Sequence, residues 1–477
     1  MALMDNTVLM KAVDLPDALG GQLLFYGQNE DAGFSSVSID SRMVLPGTLF
    51  VALNGAAQDG HRYVKAAFKA GAAMAMVARS RVEDPAWELV TAAQEHQGIL
   101  LVVEDTLKGL QDAARVYLAQ FPRLLRIGIT GSSGKTTTKE IAAAMIGNEK
   151  AVVMNPGNLN SETGLPLSVF MVRAAHEVGI FEMGMNRNGE LGELARILKP
   201  HLALITNIGS AHIGILGSKE AIAQEKKTVF SEFSGNETAL IPEDDAYRDF
   251  LAARVKGRVR YYGLSSCGAL GPVIDQGLGG TDLMWDRVPV HFGLPGKHNL
   301  RNALAAAAIA QEVPVSSGAI RAGLASVRPL FGRSEILHGP VTVIRDCYNA
   351  NPESLGEAIA WCDGLEWPGR RIYVIGAMLE LGSATGEAHA QLGRVLRASK
   401  ADMVCLFGAE TQAAVAVLEG SLRKISCFHT DSIKNLSRFL ADYIRPGDLV
   451  LLKGSRGCAL EQLTMVLGAG APVQGVF

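Results

Sequence analysis

Lys135 and Thr136 stand side by side in the stretch GITGSSGKTTTKE (128–140), behind two glycines, Gly131 and Gly134. A lysine placed this way reaches the β- and γ-phosphates of a nucleotide, and a threonine hydroxyl binds the accompanying Mg²⁺. Gly131, Ser132, Ser133 and Gly134 would form a tight turn whose N–H groups face an anion. A helix beginning near Lys135 adds the positive end of its dipole, and Thr137 adds a backbone N–H. The pattern departs from G-x-x-x-x-G-K-[ST], because the first glycine position holds Ile129. An ordinary βα turn that happens to contain GKT is the bland alternative. An apolar strand, both glycines, lysine and threonine in order favour phosphate. For Thr138 the sequence offers only the start of a helix.

Two further groups could complete a metal site. Glu182 closes the apolar run VGIFEM (178–183), and His212 lies near the end of LALITNIGSAHIG (202–214). Both are expected at the carboxyl ends of parallel strands, where open α/β sheets bind ligands. Glu182 can join Thr136 as an oxygen ligand of Mg²⁺. His212 is an unusual partner for magnesium, which prefers oxygen, and taken alone reads as a cap or a core histidine. Lys226, beside Lys227 in a run rich in Lys and Glu, reads by itself as part of a solvated helix face.

Such groups need a scaffold, and the chain alternates short β-type runs with helical patterns almost throughout. TLFVAL (48–53), AMAMVA (73–78) and GILLVVE (98–104) form a first set of strands. LRIGIT (125–130), AVVM (151–154), VGIFEM and LALITNIG (202–209) form a second. VTVIRD (341–346), RIYVIGA (371–377), ADMVCLFG (401–408) and DLVLLKGS (448–455) form a third. This alternation predicts right-handed βαβ units and parallel sheets. Boundaries near 105 and 330 divide the chain into 1–105, 106–330 and 331–477, with an amphipathic helix at 106–121 and a Pro- and Gly-bearing hinge at 327–335. The 477 residues suffice for about three domains. A net charge of −3 gives no basic field for nucleic acid. Six cysteines without a C-x-x-C pair argue against zinc or a disulfide framework and fit a reducing cytosol. No apolar run approaches a membrane span, and Asp5 and Lys11 interrupt the N-terminal one.

The segments TGSSGKTTTKE, EMGMNRNGELGEL, TNIGSAHIGILGSKEAIAQEK, GKHNLRNALAAAAIA, DCYNANPESL and LKGSRG occur in this order across nearly the whole chain. Together they resemble the Mur ligases of peptidoglycan synthesis. YNANP (348–352) and MLELG (378–382) are most similar to the branch that adds D-alanyl-D-alanine to a UDP-N-acetylmuramoyl-tripeptide. The displaced glycine then belongs to the family's shorter T-G-x-x-G-K-T loop. The resemblance implies an α/β fold of three domains: a small N-terminal UDP-binding domain, a central P-loop parallel sheet that binds ATP, and a C-terminal Rossmann-like domain that takes the dipeptide. It implies ATP phosphorylating the tripeptide carboxylate, with the dipeptide amine then displacing phosphate. It further implies a cytoplasmic monomer using ATP and Mg²⁺, two ions in all.

By position within these segments, Lys135, Glu182, His212 and Lys226 fall on the family's catalytic and metal-site residues, with Thr136 as a further ligand. The resemblance implies that Lys226 is carbamylated, which turns a cation into an anionic oxygen ligand. Asn299 and Asn302 fall on the adenosine segment, and Arg333 and Asp346 on third-domain residues that close on phosphates and ribose. Tyr348, Asn349 and Asn351 are expected beside the incoming dipeptide, and Lys453, Ser455 and Arg456 form a turn facing dipeptide or nucleotide. Ser41, Arg42, Asp59, His61 and Asn160 are expected to bind the UDP-linked substrate. Three positions depart from the family: Ser161 for a second asparagine, Thr228 where an acid usually follows the lysine, and Ala377 for an aspartate. A regulatory P-loop ATPase that forms no amide is a competing class, disfavoured by the absence of a second strand ending in Asp. Folylpolyglutamate synthase has no need of the DSR…DGH region, and the D-N-P-R motif of the diaminopimelate-adding relative is absent.

Overall fold

The computed structural model describes residues 7–26, 31–55, 58–420 and 425–468. Five strands build the first sheet: β1 (Gln22–Phe25), β2 (Ser36–Ser38), β3 (Thr48–Val51), β4 (Met74–Ala78) and β5 (Ile99–Val103). Their order is β1-β5-β4-β3-β2, parallel except for β1 against β5. Helix α1 (Thr106–Ala119) follows, capped by the Asp105 carboxylate, which accepts the Lys108 N–H.

The second sheet holds β6 (Leu125–Thr130), β7 (Val152–Met154), β8 (Val178–Glu182), β9 (Leu202–Ile205), β10 (Thr238–Pro242) and β11 (Arg258–Tyr262). Their order is β11-β10-β9-β6-β8-β7, all parallel. The central strands β6, β8 and β9 are covered on both faces and read as continuous apolar runs, as parallel strands do. Between them run α2 (Lys135–Ile146), α3 (Glu190–Leu198) and α4 (Lys219–Lys227). A three-stranded antiparallel sheet over 270–292 and the helices α5 (Lys297–Glu312) and α6 (Ser317–Ser326) complete this domain. Gly323 lets α6 lie directly on α2, since a side chain there would meet the Met145 backbone.

The third sheet holds β12 (Glu335–Leu337), β13 (Thr342–Asp346), β14 (Arg371–Gly376), β15 (Met403–Phe407), β16 (Ser426–Thr430) and β17 (Leu449–Lys453). The order is β12-β13-β17-β14-β15-β16, with only the edge strand β12 antiparallel. Helix α7 (Pro352–Gly364) leaves β13 through Asn351, which caps it in a reciprocal pair with Ser354.

The two domain junctions differ. Leu110, Ala114 and Tyr117 of α1 share one continuous core with Val51 and Met76 of the first sheet and with Phe181 and Leu194 of the second domain. The Tyr117 hydroxyl donates to the Val172 carbonyl at 2.6 Å. The third domain keeps its own cores on either face of its sheet. Among the described residues no helix is long and apolar enough to cross a membrane.

Candidate active site

β6 runs straight into Gly131, and Gly134 opens α2. Both glycines have positive φ, 147° and 78°. A side chain on Gly131 would collide with Thr206, and one on Gly134 with Asn302, so backbone conformation and space both demand glycine. The segment after β9 shapes the loop. Asn207 accepts the Ser132 N–H through its carbonyl and the Ser133 N–H through Oδ1, each at 3.0 Å. Its amide donates to Ser133 Oγ at 2.8 Å, and the Thr206 hydroxyl donates to the Ser133 carbonyl at 2.6 Å. With those two amides engaged, the N–H groups of the first turn of α2, which have no carbonyl before them, face outward.

Two lysines converge here. The Nζ atoms of Lys135 and Lys226 each donate to the Gly131 carbonyl at 3.0 Å. Burial lowers the pKa of both amines, that of Lys226 well below the ordinary lysine value, with the neighbouring Lys135 charge adding to the effect. Lys226 is therefore no part of a solvated face, although it sits on a Lys- and Glu-rich helix. Thr136 Oγ1 donates to Glu182 Oε2 at 2.7 Å and accepts from Arg333 Nη2 at 3.0 Å. The other Glu182 oxygen accepts from the Asn160 amide at 2.6 Å. Asn155 clamps the Glu182 backbone, accepting its N–H at 2.9 Å and donating to its carbonyl at 3.0 Å. The buried Lys139 in turn donates to the Asn155 carbonyl at 2.6 Å.

His212 requires a correction. β9 ends at Ile205, and His212 lies seven residues further on, in a loop, with a left-handed backbone at φ 65°. Polar and small residues from Thr206 onward turn the chain toward the phosphate loop instead of extending the strand. Burial, then the charges of Lys135 and Lys226, push the imidazole down to about 4, so it is neutral near pH 7. Its Nδ1 is buried without a hydrogen-bond partner and lies 3.6 Å from Glu380.

Arg333 arrives from the third domain and stacks over the Tyr348 ring at 4.1 Å. Asp346 pairs with the buried Lys453 at 2.7 Å and accepts the Ser334 N–H at 3.2 Å. His298, on the helix of Asn299 and Asn302, meets Ser334 Oγ at 2.9 Å. Asn299 donates to the Pro295 carbonyl, while Asn302 packs against Gly134. Asn349 caps its own turn by accepting the Ala350 N–H, and Asn351 caps α7. Ser455 accepts the Leu379 N–H and Arg456 pairs with Glu461, both within the third domain. Far from this cluster, Arg42 is exposed and paired with Asp40 beside Ser41. His61 is buried, with Nδ1 at 2.6 Å from Asp59 and Nε2 accepting the Ala78 N–H at 2.9 Å. The departures are quiet: Ser161 caps a turn toward Gly164, Thr228 donates to the Glu225 carbonyl, and Ala377 is buried between Phe407 and Ser455.

Models of three domains match in sequence: "Mur ligase family, catalytic domain" over 34–121, "Mur ligase middle domain" over 129–310 and "Mur ligase, glutamate ligase domain" over 332–456. The UDP-N-acetylmuramoyl-tripeptide–D-alanyl-D-alanine ligase of Treponema pallidum is 45% identical over 439 residues, 91% of this chain and 94% of that protein. The chain belongs to the Mur ligase family. The same ligase from Bacillus subtilis is 32% identical over 448 residues, 91% of this Mur ligase and 93% of its own length. Among solved structures, a MurF from Acinetobacter baumannii superposes with a TM-score of 0.83 at 26% identity, covering 96% of this chain and 98% of that one. MurF from Thermotoga maritima in complex with ADP superposes at 0.76 with 28% identity, covering 91% and 97%. The expected α/β architecture of this Mur ligase is thereby borne out.

The sequence reading overlooked Thr206 and Asn207, which shape the phosphate loop, Asn155 and Lys139, which hold Glu182, and His298. His298, Thr206, Asn207 and Lys139 stand inside the family-like segments GKHNLRN, TNIGSAHIG and TGSSGKTTTKE, so the resemblance marked their segments without showing their contacts. Asn155 lies outside those segments, and its contact with Glu182 exists only once distant strands pair.

Proposed function

We propose that this chain is an ATP-dependent ligase that joins D-alanyl-D-alanine to UDP-N-acetylmuramoyl-tripeptide, forming ADP and phosphate, in cytoplasmic synthesis of the cell-wall precursor. The observation that carries the reading is the meeting at Thr136. There a hydroxyl of the phosphate loop, the Glu182 carboxylate and the third-domain Arg333 contact one another, so a nucleotide site is completed by the domain that would bring the dipeptide.

A carboxylate is a poor electrophile, and phosphorylation supplies its leaving group. An oxygen of the tripeptide carboxylate forms a bond to the γ-phosphorus while the bond to the β-bridging oxygen breaks and ADP departs. The dipeptide amine then adds to the acyl carbon, loses a proton to solvent, and phosphate leaves as the C–O bond breaks. Two anions must meet in the first step. Lys135 and Arg333 offset that repulsion, and the N–H groups opening α2 hold the phosphates in place.

Mg²⁺ suits this donor set. Among the described residues no group of three or more His, Cys, Asp or Glu gathers to hold a metal, but magnesium commonly takes one or two carboxylates together with substrate phosphates. Glu182 and Thr136 would hold it, with His212 and a carbamylated Lys226 serving a second ion. Bound there, it would neutralise phosphate charge and align the transferred group. The carbamate reading rests on the resemblance of the segment around Lys226 to that of the family. The lowered basicity of the buried amine is compatible with it, since a neutral amine adds CO₂, forming an N–C bond and releasing a proton. We place the UDP-linked substrate against Ser41, Arg42 and Asp59, with His61 fixing the Asp59 carboxylate, and read the working unit as a monomer.

The decisive assay mixes purified protein, ATP and Mg²⁺ with the UDP-linked tripeptide and D-alanyl-D-alanine. Phosphate release that needs both substrates is expected; release with neither points to a regulatory ATPase. Lys226→Ala should lose most activity and regain part of it with added short carboxylic acids. An unimpaired variant removes the carbamate from the reading.

A further inference from the structure

We propose that Glu353 is a positioning residue through which closure of the third domain orders the phosphate loop. It occupies the first turn of α7, two residues after the Asn351 cap, and its carboxylate bonds across to the central domain. One oxygen accepts the Ser210 N–H at 3.0 Å. The other accepts the Ser210 hydroxyl at 2.7 Å and lies 2.8 Å from Lys219 Nζ. All three donors belong to the central domain.

The residue they secure lies next to the nucleotide site. Gly209 is enclosed between the two domains: an added Cβ would stand 3.2 Å from the Glu353 carboxyl carbon and 3.3 Å from Ser132 Cβ. The Gly209 N–H donates to Ser132 Oγ at 2.8 Å, and that hydroxyl returns a bond to the Gly209 carbonyl at 3.2 Å. A short path therefore runs from α7 through Ser210 and Gly209 to Ser132 of the phosphate loop. His212 sits two residues beyond Ser210, and the Ile213 N–H closes the turn on the Ser210 carbonyl at 3.1 Å. Fixing Ser210 thus fixes the segment that shapes the loop on one side and carries His212 on the other. Glu357, one turn further along α7, pairs with Arg301 of α5 at 2.9 Å, so the same helix grips the central domain twice.

The consequence is linkage. If closure stabilises the ordered loop, nucleotide binding must stabilise closure by the same factor. Arg333 also crosses between the domains, but it ends on Thr136 inside the nucleotide site. Glu353 bonds instead to Ser210 and Lys219, outside the phosphate loop, which marks it as a positioning group.

This inference rests on the ATP-dependent reading above, and its test begins with binding, which needs no turnover. Binding of a non-hydrolysable ATP analogue with Mg²⁺ is measured for the full chain and for Glu353→Ala, Glu353→Gln and Lys219→Met. We expect Glu353→Ala to weaken binding about tenfold, the scale of losing hydrogen bonds to a charged group. Glu353→Gln, which keeps an acceptor for the Ser210 N–H, should recover part of the loss. Lys219→Met should have a smaller effect that does not add to that of Glu353→Ala. The thermal midpoint should stay in place, and in turnover KM for ATP should rise while KM for the UDP-linked substrate does not. Unchanged analogue affinity in Glu353→Ala, or a lowered midpoint with unchanged affinity, overturns the proposal. Wild-type protein that binds the analogue but forms no amide overturns the ligase reading while leaving this one standing.

Discussion

Three threonines follow Lys135, and the structure separates their roles. Thr136 Oγ1 links Glu182 to Arg333. Thr136→Val should therefore lower kcat/KM for ATP by about 10²-fold or more, in line with removing a preorganised polar group from a charge-bearing site. Steady-state kinetics checks this against a variant of unchanged fold. Thr138 is the opposite case: its hydroxyl is fully buried and has no hydrogen-bond partner. An unpaired buried hydroxyl destabilises the fold, so Thr138→Val, of similar shape, should be neutral or stabilising by about 1 kcal/mol. Its ATP kinetics should match wild type, and a denaturation midpoint clearly below wild type would refute the assignment. The sequence could show which threonine follows the lysine, and so Thr136 was legible. It could not show that Thr138 faces a core, because that depends on where α5 and α6 pack against α2.

At the scale of elements, the loop after β9 meets the segment Leu379–Gly382 of the third domain with backbone against backbone. A Cβ on Gly214 would lie 2.5 Å from the Leu381 carbonyl carbon and 2.7 Å from the Glu380 oxygen. Gly214→Ala should leave each domain folded but hold them apart, lowering kcat/KM about tenfold or more through misplacement of the reacting groups. Activity that is unaffected would show that this contact is not part of the working form. The facing segment is anchored by His389, whose Nε2 accepts the Met378 N–H at 3.1 Å while Nδ1 meets the Thr385 carbonyl at 2.8 Å. His61 is held in the same manner in the first domain. Burial lowers the pKa of both rings below the ordinary histidine value of about 6.5. As pH falls through that value the unfolded chain takes up protons that the folded chain refuses. Stability is therefore full above about pH 6.5 and declines below it, each ring contributing at most about 1.4 kcal/mol per pH unit. Urea midpoints measured between about pH 7 and pH 5 should fall accordingly. Strands β6 and β14 were legible almost to the residue from their apolar runs. The half-buried strand β16 and the short edge strand β12 were not, since neither carries a long enough apolar run to stand out. Asn207, Asn155 and Glu353 were missed for another reason: their partners lie far away along the chain, and only the folded topology brings them together.

The whole molecule divides unevenly. The first two domains share one apolar core through α1, so the boundary near residue 105 separates two sheets but joins one packed body. The third domain has separate cores, and meets the rest through Ile213 and Leu278 at the edge of one of them and through polar contacts: Arg333 with Thr136, Glu353 with Ser210 and Lys219, and Glu357 with Arg301. Partly solvated pairs of this kind are individually weak and compete with water, whereas a shared apolar core resists separation. The third domain is accordingly the part expected to swing, about the connection 327–335. Of the two arginines in that connection, Arg328 precedes Pro329 and resists trypsin, whereas Arg333 is cleavable; the segment also exposes the large side chain of Phe331. In the closed form Arg333 is bound to Thr136 and stacked on Tyr348, which withdraws it from a protease. ATP and Mg²⁺ should therefore slow tryptic cleavage at Arg333 and reduce the radius of gyration in solution scattering. The fragment released without nucleotide should begin at Ser334 and carry the whole third sheet. Cleavage near residue 105 should stay slow in both conditions, because opening there exposes the core around Tyr117 and Leu110. Rapid cutting at 105 with the 327–335 segment intact would reverse the assignment of rigid body and moving part.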